Sequence, residues 1–350
     1  MKLSDFDYEL PERLIAQEPV SPRDASRLLV VPRGSGAIGD ARFAELETFL
    51  RPGDLLVFND TRVIPARLVG VKASGGRCEL LLVEPIDREG GPRWRALGQS
   101  SKPMREGSRL TFGSLEARVE EAEGDGFFAV RFDREEAALD EAIEREGRVP
   151  LPPYIRREPG PGDRERYQTI FASVRGSAAA PTAGLHFTTQ LLARLAARGV
   201  ERTAVTLHVG PGTFLPVRSE DLARHRMHEE RYHVTAEAAL AFAACRARGG
   251  RVVAVGTTAV RTLESAWKDE GLQEGGGRTG LFIYPGHAFK TVDGLVTNLH
   301  LPRSTLLMLV CAFGGREQVL AAYQLAVRKG YRFFSYGDAM LLAAGEGAAE

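Results

Sequence analysis

The 350-residue chain has little cysteine, little lysine and no net charge. Cys78, Cys245 and Cys311 lie far apart, form no CxxC pair and build no disulfide framework, which points to a reducing compartment. Basic and acidic side chains number 46 each, which disfavours indiscriminate coating of nucleic acid. The longest strongly apolar run, Leu306 to Phe313, is far too short to span a membrane. The opening MKLSDFDYELPERLI has acids where an export signal needs an apolar core, so a cytoplasmic protein is expected. What is present, 43% hydrophobic and 26% charged residues, suits a globular chain of about two domains.

The texture changes twice along the chain. Residues 1–65 contain a strand candidate at Leu28–Val31, a helical spacing at Phe43, Leu46, Phe49 and Leu50, and a buried-strand pattern at Asp54–Phe58. Residues 66–149 hold six short strand candidates, beginning at Ala66, Arg77, Trp94, Arg109, Leu115 and Phe127. Glycine-rich turns separate them, with no long helix and with interspersed charge. That pattern predicts an inserted small β-barrel, left through the proline-stiffened run Arg148–Ile155. Residues 150–350 alternate helix and strand, with strands expected at Val200–His208, Val252–Val255 and Leu281–Tyr284, and a frayed tail from Ala343. The expected fold is therefore an α/β main domain, residues 1–65 and 150–350, interrupted by a barrel-like all-β domain, 66–149. The last segment carries 24 basic against 18 acidic residues, enough for a local anionic site.

Polar side chains gather at strand ends. Asn59, Asp60 and Arg62 follow the Asp54–Phe58 strand; His186 sits in Pro181–Thr188, just before a helix; His208, Gly210, Gly212 and Thr213 follow another strand. The Gly210–Gly212 loop is neither GxGxxG nor GxxxxGK[ST], so a P-loop ATPase is disfavoured. Between Arg224 and His233, His228 and Glu229 read as a solvated charged face, as an active-site strand end, or, least well, as a metal site without HExxH. Gly256-Thr257-Thr258 opens a helix as a plausible anion cradle, with Arg261 and Glu264 on one face of it, paired with each other or gripping a zwitterion. Asn298, His300 and Arg303 lie at one more strand-to-helix junction.

The strings FNDTRVIPARL (58–68), RVPLPPYI (148–155), PTAGLHFT (181–188), LHVGPGTFLPV (207–217), HEERY (228–232), GTTAVRTLES (256–265), GLFIYPG (280–286), VDGLVTNLHLPRSTLLMLVCAF (292–313) and YRFFSYGDAMLL (331–342) resemble the S-adenosylmethionine:tRNA ribosyltransferase-isomerase family, in order and nearly end to end. Gly275–Gly277 looks like a variable loop. The resemblance implies a late step of queuosine synthesis. S-adenosylmethionine donates its ribosyl unit to 7-aminomethyl-7-deazaguanine at the tRNA wobble position; adenine and methionine leave, and the product is epoxyqueuosine tRNA. It also implies the barrel-interrupted α/β fold.

That chemistry needs a base for the hydrogens beside the sulfonium and a proton donor for departing adenine, which favours His186, His208, His228 and Glu229 as catalytic groups. Gly210, Gly212, Thr213, Thr257, Thr258, Arg261 and Glu264 suit the S-adenosylmethionine; Asn59, Asp60, Arg62, Asn298, His300 and Arg303 suit the RNA substrate. Phe187, Phe214 or Tyr232 could stack on the splayed base, although such aromatics more often belong to the core. No protein-bound metal is expected, and a monomer acting on an anticodon stem-loop is. Two other readings stay open: an RNA methyltransferase, which needs a glycine-rich loop after the first strand of a Rossmann-like half, and a non-catalytic RNA-binding protein.

Overall fold

The computed structural model describes residues 1–34, 36–86, 91–210, 212 and 220–344; the expectations for Thr213, Phe214 and the tail beyond Ala344 fall outside these. In chain order the strands begin with β1 Arg27–Arg33, β2 Gly39–Arg42, β3 Leu55–Asn59 and β4 Thr61–Val63. Then come β5 Arg67–Lys72, β6 Arg77–Ile86, β7 Arg93–Ser100, β8 Arg109–Phe112, β9 Leu115–Gly124 and β10 Phe127–Phe132. The later strands are β11 Val174–Ser177, β12 Glu201–Leu207, β13 Glu230–Val234, β14 Val252–Val255, β15 Trp267–Lys268, β16 Gly271–Leu272, β17 Gly275–Thr279, β18 Gly294–Asn298 and β19 Ala339–Ala344. The α-helices are α1 Glu136–Glu146, α2 Asp163–Arg166, α3 Thr189–Ala197, α4 Ala236–Ala247, α5 Thr257–Ala266, α6 Thr305–Gly314 and α7 Arg316–Arg328.

Nine strands form the main sheet in the order β17-β13-β12-β3-β14-β18-β19-β1-β2. Its centre, β12-β3-β14-β18, is parallel. Both faces are covered, which is why these strands read as unbroken apolar runs. In β3, Leu55 and Val57 enter the core beneath α4–α7, while Leu56 and Phe58 enter a second core with Phe43, Leu46 and α3. Val252 and Ala254 of β14 divide from Val253 and Val255 in the same way. The helices end as their sequence signals demand. Thr188 caps α3 by accepting from Leu191 N, Ser304 caps α6 through Leu307 N, and the chain turns after α7 at Gly330, φ +67°.

All six strands expected between residues 66 and 149 are present, closed as β10-β7-β6-β5-β8-β9. Closure brings β5 so near β8 that a Cβ on Gly70 would lie 2.0 Å from Thr111 O, so glycine is required there. The interior holds Leu68, Leu80, Leu82, Phe112, Leu115 and Val130.

Five expectations need correction. The insert does contain a helix, α1, which lays Leu139, Ala142 and Ile143 on the barrel core; that i, i+3, i+4 spacing is obscured by the acids around it. The run 41–50 is not an α-helix: β2 continues to Arg42, and a short 3-10 helix over Phe43–Thr48 buries Phe43 and Leu46. Leu281–Tyr284 is not a strand. Gly275–Thr279 pairs with β13 instead, so the glycine-rich stretch is a sheet edge and not a loop, and Leu281 O is taken by the Arg261 guanidinium. The tail expected to fray from Ala343 keeps Ala343 and Ala344 in β19, beside Pro32 and Arg33 of β1. One glycine string escapes the sequence reading: Gly34, Gly36 and Gly39 have GxGxxG spacing after β1. The chain then returns as antiparallel β2, so the helix that would receive a phosphate is absent there.

We propose residues 66–149 as an autonomous insert, because α1 and the six strands share one core. Expressed alone, this segment should give a strand-dominated circular dichroism spectrum and a cooperative melt. An unstructured peptide would show that the main domain is needed to fold it.

Candidate active site at the carboxyl edge of the main sheet

Parallel strands deliver their carboxyl ends to one edge, and a cavity of about 500 Å³ opens there. Its wall combines Pro181–Ala183, Val209, Gly256–Thr258, Thr297–Asn298 and His300–Ser304 with Leu3, Tyr154, Glu220, Leu306, Phe334 and Ser335. Gly256, at φ +92°, offers no side chain to cap α5, so the first-turn N–H groups of that helix meet the cavity without an intrahelical acceptor. The volume suits a small organic molecule held by a few placed polar groups.

Two buried asparagines set this edge. Asn59 Oδ1 accepts from Thr61 N and Leu207 N, both at 3.1 Å, while Nδ2 donates to Leu207 O at 3.0 Å and Thr258 Oγ1 at 3.1 Å. It joins β3, β12 and α5 and aims Thr258, but is itself fully occupied. Asn298 Oδ1 accepts from Thr182 Oγ1 at 3.0 Å; its Nδ2 reaches His186 Nε2 and Phe334 O, both at 3.1 Å. Because Asn298 donates to Nε2, His186 must be the neutral tautomer protonated at Nδ1, which donates to Ser26 Oγ at 2.8 Å. Burial drives His186 down to about 3, with Arg332 and Arg23 adding repulsion. The ring also stacks on Phe43, centroids 5.0 Å apart. His186 therefore acts through Asn298, behind the cavity wall.

Most of the other expected residues divide among three places. His300, Asn298, Thr257, Thr258 and Arg303 reach the main cavity. His300 Nε2 lies 2.8 Å from Thr297 Oγ1, its backbone N–H donates to Tyr323 OH, its carbonyl accepts from Tyr8, and burial alone pushes it to about 3. Arg303 stands at φ +58° and is paired with Asp7 at 2.5 Å. His208 and Asp60 face a separate shallow hollow with Thr206, Arg231 and Tyr232. His208 Nδ1 meets Thr61 Oγ1 at 2.9 Å, and burial, then Arg231, lowers it to about 4. Asp60 accepts from Thr206 and Ser173. His228 and Glu229 lie exposed beside the barrel: His228 is 5.4 Å from the Phe127 ring, and Glu229 pairs with Arg278, which also grips Glu84 of β6. Gly212 lies close by, since a Cβ there would come within 2.9 Å of His228. Arg62 is exposed on β4.

Arg261 and Glu264 neither pair with each other nor line the cavity. Arg261 is buried against Glu230, which also accepts from Gly210 N at 2.9 Å, so the pair anchors the glycine loop. Glu264 accepts from Thr291 N at 2.9 Å, from Lys290 N and from Thr291 Oγ1. Phe187 is core, edge-on to Phe43 and Phe58. Sequence reasoning missed Tyr154, Glu220 and Ser335; the Tyr154–Ser335 contact of 2.6 Å spans 181 residues, a separation no local signal bridges. No group of three or more His, Cys, Asp or Glu able to hold a metal occurs among the described residues, and no single described helix is long and apolar enough to cross a membrane.

A parallel-centred sheet with helices on both faces, a closed barrel in one connection, and a polar cavity at the carboxyl edge define an α/β protein with a ligand site where open α/β sheets place one. More specifically, the chain belongs to the queuosine biosynthesis protein family, whose model matches residues 3–342. It is 70% identical to the S-adenosylmethionine:tRNA ribosyltransferase-isomerase of Anaeromyxobacter sp. (strain Fw109-5), over 98% of this chain and 99% of that one. Identity to the same-named protein of Geobacter metallireducens is 54%, over 98% and 100%. A crystal structure of S-adenosylmethionine tRNA ribosyltransferase from Thermotoga maritima is 41% identical, covers 97% of this chain and 100% of its own, and superposes with a TM-score of 0.57.

His186 and His300 fold with imidazoles near 3, against 6.5 for the free side chain. Between those values the unfolded chain binds more protons than the native one, so their contribution is full above about pH 6.5 and is lost as pH falls toward 3. Each contributes a slope of up to about 1.4 kcal/mol per pH unit in that window. Urea melts at pH 6.5 and 5 should differ accordingly, and ring ¹⁵N shifts should stay those of neutral imidazole down to pH 4.5. Titration of either ring near 6.5 would contradict its burial.

Proposed function

We infer that the main cavity is the ribosyl-transfer site. The chain is an enzyme that transfers and isomerises the ribosyl moiety of S-adenosylmethionine onto 7-aminomethyl-7-deazaguanine at the tRNA wobble position. Epoxyqueuosine tRNA forms, and adenine and methionine are released. The observation that carries the assignment is convergence: PTAGLHFT, GTTAVRTLES and VDGLVTNLHLPRST, the first and last more than a hundred residues apart, supply the wall of one cavity.

The sulfonium of the donor acidifies the adjacent C5′ hydrogens, so the reaction opens by proton removal; adenine must take up a proton as it leaves, and methionine departs with the C–S bond. His300 is the imidazole on the cavity wall and is assigned the proton-carrying role. It is neutral, oriented by Thr297, and a bound anion beside it raises its basicity. Thr257, Thr258 and the open first turn of α5 take the donor's carboxylate. Asn298, held by His186 and Thr182, offers a fixed amide to the nucleoside. Arg303 can exchange Asp7 for a substrate anion at the cavity mouth. The hollow with His208, Asp60 and Tyr232 receives nucleotides flanking the wobble base. Arg261, Glu264 and Glu230 hold the site together without touching substrate. We place the enzyme in the cytoplasm, as a monomer acting on the anticodon stem-loop.

With S-adenosylmethionine and the aminomethyl-deazaguanine stem-loop, adenine and methionine should appear in equal amounts. S-adenosylhomocysteine, or no turnover, would support the methyltransferase or the non-catalytic reading instead. His300→Ala should lower kcat by about 10² to 10⁴, the usual contribution of a positioned proton carrier. Exhaustive chelation followed by magnesium to refold the tRNA should leave activity intact; rescue only by zinc or iron would show that a metal takes part.

A further inference from the structure

The barrel segment 66–149 is acidic as a whole, with 14 basic against 17 acidic side chains. The structure shows that this charge is polarised. The turn from Lys72 to Arg77 and the connection from Lys102 to Arg109 come together at the barrel end remote from the main domain, and hold five cations, Lys72, Arg77, Lys102, Arg105 and Arg109, against Glu106 alone. Lys72, Lys102, Arg105 and Arg109 line a hollow of about 620 Å³ into which Ser74 and Ser108 also face. The expectation of interspersed charge is thus corrected.

Partnering divides the same way. Arg67, Arg93, Arg95 and Arg131, elsewhere on the barrel, each reach a carboxylate. Among the described residues Arg77, Lys102, Arg105 and Arg109 have no carboxylate within ion-pair distance, and neither has Arg118, which pairs in register with Arg109 and extends the patch onto β9. Lys72 is built in. Its ammonium donates to Lys102 O at 2.6 Å, as does Ser100 Oγ, so the connection is held in shape with Lys102 and Arg105 outward. Self-repulsion among unpaired cations opposes folding, so a clustered, sculpted set calls for an outside anion.

We propose that this barrel end is a second binding surface for the RNA substrate, taking phosphates of the anticodon stem while the wobble nucleotide occupies the main cavity. The proposal rests on the tRNA reading above. The cavity alone attracts phosphate weakly: its described charged side chains are Glu220 and an Arg303 already tied to Asp7. The barrel root borders the cavity wall, since a side chain on Gly210, next to Val209, would lie 3.8 Å from Val83 of β6. From that root β5 carries the tip about 20 Å outward at ~3.3 Å per residue, a span a base-paired stem can bridge. Shape and backbone contact are how proteins hold helical RNA, and clustered arginine and lysine are the groups that do it.

The test compares Arg105→Ala/Arg109→Ala with Arg198→Ala/Arg202→Ala, which removes equal charge from exposed positions at the amino edge of the main sheet. On full-length tRNA the first pair should raise the tRNA KM at least fivefold with kcat held within twofold. It should also lower the magnitude of the salt slope of binding by about 1.4 to 1.8, for two phosphate contacts of 0.7 to 0.9 each. The second pair should do neither. Equal behaviour of the two variants, or an unchanged slope in the first, overturns the proposal. A loss of kcat with KM and slope unchanged overturns it too, by showing that the tip acts on the site and not on RNA. Wild-type enzyme that binds the tRNA but releases no adenine would refute the catalytic reading and leave this binding comparison standing.

Discussion

Asn298 can donate to His186 Nε2 only while that imidazole is neutral, and much of the site hangs on that one bond. It links Ser26, His186, Asn298 and Thr182, which lie up to 272 positions apart, into a single buried chain that also captures Phe334 O. Proton gain at His186 would replace an acceptor with a donor facing a donor, and would put an unpaired charge in a dry interior. A buried group stripped of its partner costs about 1 to 3 kcal/mol, and a charge costs more. Burial, which keeps the ring neutral, is thus also what keeps the cavity wall in register.

The same logic explains why polar groups gather where they do. A sheet covered on both faces fills β14 and the body of β3 with apolar side chains, so polar groups collect toward the carboxyl ends, at Asn59 of β3 and Thr297 and Asn298 of β18. There the parallel pairing runs out and backbone groups need new partners. Asn59 partners three of them at once, and its fourth bond fixes the Thr258 hydroxyl on the wall. The buried Arg261–Glu230 pair does for the glycine loop what Asn59 does for the strand ends. Structural and functional polarity share an address here, and residue type alone does not separate them.

That overlap sets what was legible. The six barrel strands, the both-face burial of β3 and β14, and the capped helices follow periodicity and turn chemistry, which are local. Asn298, His300, Thr257 and Thr258 were legible as loop residues after strands, and the cavity gathers them. His186, His208 and His228 looked equivalent in sequence, yet one is a buried brace, one faces a side hollow and one stands in solvent. Only tertiary burial distinguishes them. Arg261 and Glu264 share a helix face, but each finds a distant partner first: Glu230 for one, the Thr291 backbone for the other. Helix α1 was hidden because acids and alanines surround a narrow apolar stripe that acquires meaning only against the barrel.

Zero net charge might suggest a poor RNA ligand, but net charge is a sum and binding responds to distribution. Ion pairs consume most arginines of the main domain and the barrel wall, from Arg251 with buried Asp54 to Arg67 with Glu79. Within the barrel, the described arginines that make no ion pair, Arg77, Arg105, Arg109 and Arg118, gather at or beside its tip. An anion approaching this protein therefore meets a field much less balanced than the composition. Strong selection of one nucleotide and modest attraction to the backbone are then assigned to different parts of the chain. The insert can change its surface without disturbing the asparagine and histidine bonds that shape the cavity, because none of the residues making those bonds belongs to the barrel core.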